Sequence, residues 1–523
     1  MQKTHSADIP LKSLDDQLPE QRLTQVRFES FKAFEQQVQV DLNPVTLIAG
    51  VNSGGKTSIL QSLLLARQTL ITEYRQPVED ALKYDSELFG FTSFNELVFG
   101  NPHPNNYQGE IQLGFTIQIE PQLSADSSFP KLEEYFSNLP LEREKLISTQ
   151  LNVQFKRNQE TVVANQIEMQ AHCHHGQSDD KGPSLIIEPK GKTWHLTKLN
   201  VGETSQINED KWINPIIHFL SVNRFIPVLK GQPVWTLDMQ KPERLFYGMF
   251  MSIFAPALAL LREELENRLF YVGPLRSAPE RSYPHRQVVG LDVGRSGEMT
   301  VQLLHENWEK YVDFVSIIPN LEKFIPTRPT RMLLKDAVQA TLKLLGMEQV
   351  LKISKKTQSY NASLSLLSEP QTYISIVEVG FGVSQILPII AVSLLSPVNS
   401  ILIFEQPEIH LHPRAQAGLA EFFLCLALTG RRILVETHSD HLINRLRRRI
   451  AEDESNYFEN GSNILFVHPP ENGRGAIIER GQINRYGQIE NWPPSFLAES
   501  ANDARAILLA ASNKRIIERR NIT

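Results

Sequence analysis

Residues 50–57 read Gly-Val-Asn-Ser-Gly-Gly-Lys-Thr, which satisfies G-x-x-x-x-G-K-[ST] at every fixed position. Gly50, Gly54 and Gly55 permit a backbone tight enough for successive N–H groups to surround phosphate oxygens. Lys56 would then bridge the β- and γ-phosphates of ATP and the Thr57 hydroxyl would ligate Mg²⁺. Asn52, Ser53 and Ser58 complete the expected cradle.

A metal beside those phosphates needs a carboxylate at the carboxyl end of a neighbouring strand. Ile401-Leu-Ile-Phe404 reads as a buried strand and ends on Glu405, which would hold Mg²⁺ through water; Glu408 is the nearest second carboxylate. In Val435-Glu-Thr-His-Ser-Asp440, after another apolar strand, His438 would touch the γ-phosphate or position the attacking water. Taken singly, Glu408 reads as well as a helix cap and His438 as a turn histidine; the phosphate loop upstream favours catalysis. His410, His412, His438 and His441 also suggest a transition-metal cluster, but nucleotide chemistry explains their neighbours better, and Mg²⁺ prefers oxygen ligands. His172-Cys173-His174-His175 is too compact for the usual zinc spacing and reads as a solvated polar loop.

These residues need elements to position them. Val45-Thr-Leu-Ile-Ala49 supplies a strand before the phosphate loop, and Ser58 to Gln68 a helix whose positive N-terminal end meets the anion. Residues 1–20 lack apolar periodicity and read as a flexible N-terminus. A first ATPase lobe is expected over 21–204, with short strands at Glu110–Ile119, Leu151–Phe155, Gln166–Gln170 and Leu185–Glu188, and a helix at Lys131–Ser148. An inserted, mainly helical region follows over 205–360, with helices at Glu243–Arg268, Ser296–Leu304 and Thr330–Leu345 and a strand at Leu269–Val272. Strand and helix then alternate over 361–455, beginning with a strand at Thr372–Val379, which implies a parallel sheet covered by helices. A β/helical extension occupies 456–523.

At 523 residues, 41% hydrophobic and 21% charged, the chain has the balance of two or three packed units. Two cysteines, Cys173 and Cys425, make no disulfide framework, and a reducing cytoplasm is the expected location. The longest apolar run, Leu245–Leu261, is broken by Gly248, Ser252 and Pro256 and reads as a buried helix, so no membrane contact is expected. A net charge of −6 confines any nucleic-acid contact to a local patch, for which Arg445, Arg447, Arg448 and Arg449, with Lys514, Arg515, Arg519 and Arg520, are candidates.

The phosphate loop, a long insertion, Val379-Gly-Phe-Gly-Val-Ser-Gln385, Ile401 to Glu408 and Glu436-Thr-His438 occur in the order found in the ABC-type ATPases of the SMC, RecF and OLD group, which the chain resembles over about 22–100 and 370–445. Phe31-Lys-Ala-Phe34 and Glu405-Gln-Pro-Glu-Ile-His-Leu-His-Pro413 look most like the RecF- and OLD-related proteins. Gly273-Pro-Leu-Arg276 and Ile489-Glu-Asn-Trp-Pro-Pro494 extend the likeness to stand-alone bacterial AAA ATPases related to the phage-defence (Septu and retron) ATPase PtuA. The resemblance implies an α/β, P-loop NTPase fold of ABC ATPase head type with an antiparallel β lobe and an inserted helical region.

It also implies that Gly380, Gly382, Ser384 and Gln385 form a signature that closes over the γ-phosphate of a partner. ATP would thus join a homodimer, or a higher homo-oligomer, and hydrolysis would loosen it. One departure matters: the family has an acidic residue directly after the metal-binding carboxylate, and here Gln406 stands there. An amide cannot accept a proton at neutral pH. Either Glu408 substitutes, or Gln406 orients the water, or turnover is slow, and slow turnover is the expectation favoured.

The expected role is that of an Mg²⁺-dependent ATPase controlling a separate effector protein such as a nuclease, in DNA-linked anti-phage defence or repair, with DNA a candidate partner. The alternative is a slowly hydrolysing, nucleotide-gated protein scaffold without DNA binding. An intrinsic OLD-type nuclease is disfavoured, since the chain carries no Asp-x-Asp pair of the Toprim kind.

Overall fold

The computed structural model describes residues 19–71, 80–85, 91–100, 109–120, 147–158, 161–175, 178–190, 193–200, 220–229, 246–287, 290–291, 293–294, 296–316, 328–453, 458, 461–469, 475–489, 506 and 508–511. The chain opens with β1 (Arg22–Glu29), β2 (Val38–Asp41), the phosphate-loop strand β3 (Val45–Gly50) and helix α1 (Lys56–Ile71). Long strands β4 (Glu110–Ile119), β5 (Ile147–Asn158), β6 (Thr161–His175), β7 (Ser178–Lys190) and β8 (Thr193–Asn200) follow. They pair antiparallel in the order β2-β1-β4-β5-β6-β7-β8. Alternation of buried and half-exposed residues along β5 gives this lobe one face for the core.

A hairpin of β9 (Leu220–Asn223) and β10 (Ile226–Leu229) leads to a helical stretch that includes a π-turn at Phe250–Phe254 and α2 (Ala255–Asn267). Strand β11 (Leu269–Val272), β12 (Tyr283–Pro284), α3 (Thr300–Glu306), β13 (Tyr311–Phe314), β14 (Thr330–Leu333), α4 (Leu334–Leu344), β15 (Leu351–Lys356), β16 (Ser359–Ser365) and β17 (Tyr373–Ser375) come next. The last stretch alternates α5 (Phe381–Leu395), β18 (Ile401–Glu405), α6 (Pro413–Ala427), β19 (Arg432–Glu436), α7 (Asp440–Glu452), β20 (Ser462–His468) and β21 (Ile477–Gln482).

The nucleotide sheet runs β11-β18-β19-β3-β20-β21, parallel throughout except for β21. Strands β3, β18 and β19 are buried at every residue, as a sheet covered on both faces requires. Successive side chains pass to opposite sides: Ile48, Ile403 and Leu434 join a core with α1, α2 and the antiparallel lobe, whereas Leu47, Phe404 and Val435 join one with α5, α6 and α7.

Several expectations need correction. Among its described residues, 205–360 is mixed rather than mainly helical: the helix expected at Thr330–Leu345 begins with strand β14, that at Ser296–Leu304 is displaced to Thr300–Glu306, and β11 belongs to the nucleotide sheet. The strand expected at Thr372–Val379 shrinks to β17 followed by a 3-10 turn. His172–His175 close β6 instead of forming a loop. The helix expected at Lys131–Ser148 lies outside the described residues except for Ile147 and Ser148, which open β5. Strand β20, assigned by sequence to an extension after 455, lies directly beside β3.

Candidate functional site

Strand β3 carries Gly50 to the carboxyl edge of the sheet at φ +144, where a Cβ would collide with the Val467 carbonyl of β20. Gly55 stands at φ +104, and a Cβ there would come within 2.7 Å of the Ala33 Cβ. Both glycines are demanded by close approach. Lys56 is buried; its Nζ donates to the Val51 carbonyl at 2.7 Å and the Gly50 carbonyl at 3.2 Å. Burial lowers its pKa, against the pull of Glu436 and Glu408. The Thr57 hydroxyl donates to Glu436 Oε2 at 2.9 Å.

A cleft of about 730 Å³ opens over this loop. Asn52, Ser53, Gly54, Gly55, Lys56, Thr57 and Ser58 line it, together with Lys32, Glu96, Gln406, Glu436 and His438. Desolvation holds the His438 pKa below its ordinary value, with Lys56 adding to the effect, which favours the neutral imidazole.

Glu405 and Glu436 end adjacent strands and face each other in register. Tyr271 of β11 donates its hydroxyl to Glu405 Oε1 at 3.1 Å. Burial, and then Glu436, push Glu405 up to about 7. Glu436 is also raised, chiefly by burial, while Thr57 and Lys56 oppose the shift. The donors Thr57, Glu436 and Glu405 are all oxygens, which fits Mg²⁺. Among the described residues no group of three or more His, Cys, Asp or Glu could hold a metal by itself. A cation here would take its remaining ligands from phosphate and water, the usual manner for Mg²⁺.

Glu408, the second carboxylate expected from sequence, is absent from the cleft wall. Its Oε1 accepts from the His438 backbone N–H at 2.6 Å, and it lines a neighbouring pocket of about 520 Å³ that shares Gln406 and His438 with the cleft. Gln406 adopts φ 43, in the left-handed region, which costs energy for a residue with a Cβ and concentrates at functional sites. Its N–H donates to the Glu436 carbonyl at 2.8 Å.

The signature segment stands apart from this chain's own phosphate loop. Gly380, at φ +92, is the N-cap of α5, so Ser384 lies a turn inside the helix rather than opening it; its hydroxyl donates to the Phe381 carbonyl at 2.8 Å. Gly382 borders a groove with Gly346, Met347 and Arg414, and none of Gly380, Gly382 and Ser384 lines the cleft. Gln385, expected to bind nucleotide, is buried with its amide donating to the Ser277 carbonyl at 3.1 Å.

Arg276, which ends the Gly273-Pro-Leu-Arg276 segment, does not line the cleft. It is buried, and its guanidinium reaches the carbonyls of Gln385 at 3.1 Å, Pro407 at 3.3 Å and Gln406 at 2.6 Å. The four arginines of α7 are likewise engaged within the chain: Arg445 and Arg449 pair with Glu421, Arg448 with Glu452, and Arg447 donates to the Gly487 carbonyl. Lys514, Arg515, Arg519 and Arg520 lie outside the described residues.

Residues 305–443 match the AAA ATPase domain model. That stretch holds the signature segment, the strands ending on Glu405 and Glu436, and His438, while the phosphate loop precedes it. The fold is α/β: a parallel sheet carries the phosphate-loop sequence and both carboxylates at one edge, and an antiparallel lobe packs against it. Among curated proteins no sequence matches the chain significantly.

Solved structures similar to it include the SMC head domain from Thermotoga maritima, at 8% identity, 88% coverage of this chain, 99% of that one and a TM-score of 0.33. The SmcHead bound to the C-winged helix domain of ScpA shares 9% identity, covering 88% of this chain and 98% of that one with a TM-score of 0.36. A third, the Smc head domain with an extended coiled coil bound to the C-terminal domain of ScpA derived from Pyrococcus furiosus, gives 9%, 88%, 96% and 0.36. Among the described residues no helix is long and apolar enough to cross a membrane.

Sequence reasoning passed over Glu436, Lys32 and Tyr271. The rule that selected Glu405, a carboxylate closing an apolar strand, applies equally to Glu436.

Proposed function

We propose that the chain binds ATP with Mg²⁺ on its phosphate loop, hydrolyses it slowly, and uses the bound nucleotide to join two copies of itself. The observation that carries this reading is the single cleft lined together by Lys56, Thr57, Glu436, Gln406 and His438. When bound, Mg²⁺ would neutralise charge on the β- and γ-phosphates. Lys56 would exchange its two carbonyl partners for phosphate oxygens, and His438 would hydrogen-bond the γ-phosphate or the attacking water. Gln406 can orient that water but cannot take its proton, which supports slow turnover.

Separation of the signature from its own cleft supports its use by a second copy. The ATP-bound dimer would then restrain or release a separate effector, such as a nuclease, in cytoplasmic phage defence or DNA repair; this part rests on the resemblance. The intramolecular pairing of the α7 arginines favours a protein partner over direct DNA contact.

Hydrolysis of ATP by wild type and Lys56→Ala, measured with and without Mg²⁺ alongside mass in solution, tests the reading. Wild type should hydrolyse ATP and gain mass with it, and Lys56→Ala should lose hydrolysis at least ~100-fold. No ATP binding by wild type would sink the proposal.

A further inference from the structure

Three carboxylates lie on or just beyond strands β18 and β19, yet only Glu436 touches the phosphate loop. Strand β19 lies between β3 and β18, so the residue closing β19 is one strand spacing, about 4.8 Å, from the loop's own strand, and the residue closing β18 is two. Glu436 closes β19 and accepts the Thr57 hydroxyl at 2.9 Å. Glu405 closes β18 and is held from the other side by the Tyr271 hydroxyl at 3.1 Å. Glu408 is tied to the backbone of His438 and faces the adjoining pocket.

We propose that Glu436, rather than Glu405, is the carboxylate that holds Thr57 and the divalent cation beside the ATP phosphates, with Glu405 a positioning residue behind it. The inference rests on the phosphate-site reading above. The hydroxyl of the phosphate-loop Thr is itself a metal ligand in this class of site, so the carboxylate that fixes it sets where the cation sits. One further contact holds the Glu436 backbone in place: the Gln406 N–H donates to its carbonyl at 2.8 Å, while Glu405 lies beside it in the β18–β19 register. The backbone at 406 therefore fixes the end of the strand that carries Glu436.

The test uses the full chain as wild type, Glu436→Gln, Glu436→Asp and Glu405→Gln. ATP affinity is measured by calorimetry in EDTA and in Mg²⁺, and Mn²⁺ bound in the presence of ATP is counted by electron paramagnetic resonance. Wild type should bind ATP more tightly with the metal. Glu436→Gln should bind metal-free ATP like wild type but lose roughly 10- to 100-fold in Mn²⁺ affinity, with Glu436→Asp intermediate and Glu405→Gln within a few-fold of wild type. If thermal melting shows Glu436→Gln unfolded, Glu436→Asp against Glu405→Gln carries the same comparison. Loss of metal binding in Glu405→Gln with retention in the Glu436 variants would overturn the assignment and leave the phosphate site standing. A wild type unable to bind ATP would remove both.

Discussion

The side chains of Glu405 and Glu436 meet in a shielded place where neither charge is well solvated. Glu405 answers by holding its proton up to about 7, against an ordinary 4.5. The sign of the linkage follows. Between those two values the folded chain keeps a proton that the unfolded chain releases, so this group makes stability fall as pH rises through the window. Without metal or nucleotide, Glu405→Gln should therefore melt above wild type at pH 8, by on the order of 2 kcal/mol, since the amide keeps the shape and can still accept from Tyr271. The advantage should shrink as pH falls toward 5. Melting curves in EDTA across that range decide it, and a gap independent of pH would clear Glu405 of the effect. The phosphate loop was legible in the sequence because its backbone demands glycine at Gly50 and Gly55. That Glu436, which the same strand-end rule picks out, stands nearer the loop than Glu405 was not legible, because this depends on which strand lies beside β3, and strand order is absent from local pattern.

Elements meet in this protein through backbone carbonyls as much as through apolar faces. Arg276, on the turn after β11, gathers the carbonyls of Gly273, Glu405, Gln406, Pro407 and Gln385, so one guanidinium joins the loop after β18 to the first turns of α5. Gln385 returns the contact through the Ser277 carbonyl. A planar fork with five donors can serve that many acceptors at once, whereas an ammonium cannot. Arg276→Lys should cost roughly 2–4 kcal/mol of stability by leaving buried carbonyls unpaired. It should also lower kcat at least ~10-fold with ATP affinity nearly unchanged, because it loosens Gln406 and His438 but not the phosphate loop. Thermal melting and a kcat-against-Kd comparison measure the two effects; a fall in affinity equal to the fall in kcat would mean general loosening instead. The alternation of strands and helices from α5 to α7 was readable, since each segment is long and apolar and ends on a turn signal. The stretch over 311–364 misled because its strands are short and its apolar residues fit either period; Thr330–Leu333 continues straight into the amphipathic α4.

At the scale of the whole molecule, every group assigned to the nucleotide sits at the carboxyl edge of one sheet, and the apolar exposure there is uneven. Val51 follows β3 with 50% of its surface exposed, Leu275 follows β11 with 83%, and Phe381 opens α5 with 57%. Arg276 binds the Gln385 carbonyl, so the turn bearing Leu275 and the helix bearing Phe381 are held together. Large apolar side chains held rigidly at the sheet edge that carries a nucleotide cleft are poorly placed for a monomer and well placed to anchor a second copy. Leu275→Asp should therefore abolish the ATP-dependent gain in mass while leaving ATP binding by the monomer within about twofold of wild type, because a charge placed in a closing apolar contact is costly and the cleft itself is untouched. Tyr486→Asp is the control. Tyr486 is 64% exposed, but its turn packs by Gly487 against Arg447 and Ala451 of α7, toward the end of that helix far from the carboxyl edge. Light scattering with ATP should then show dimer for wild type and Tyr486→Asp and monomer for Leu275→Asp. If Leu275→Asp still dimerises, the copies meet elsewhere, and the signature on α5 would have to act without this face.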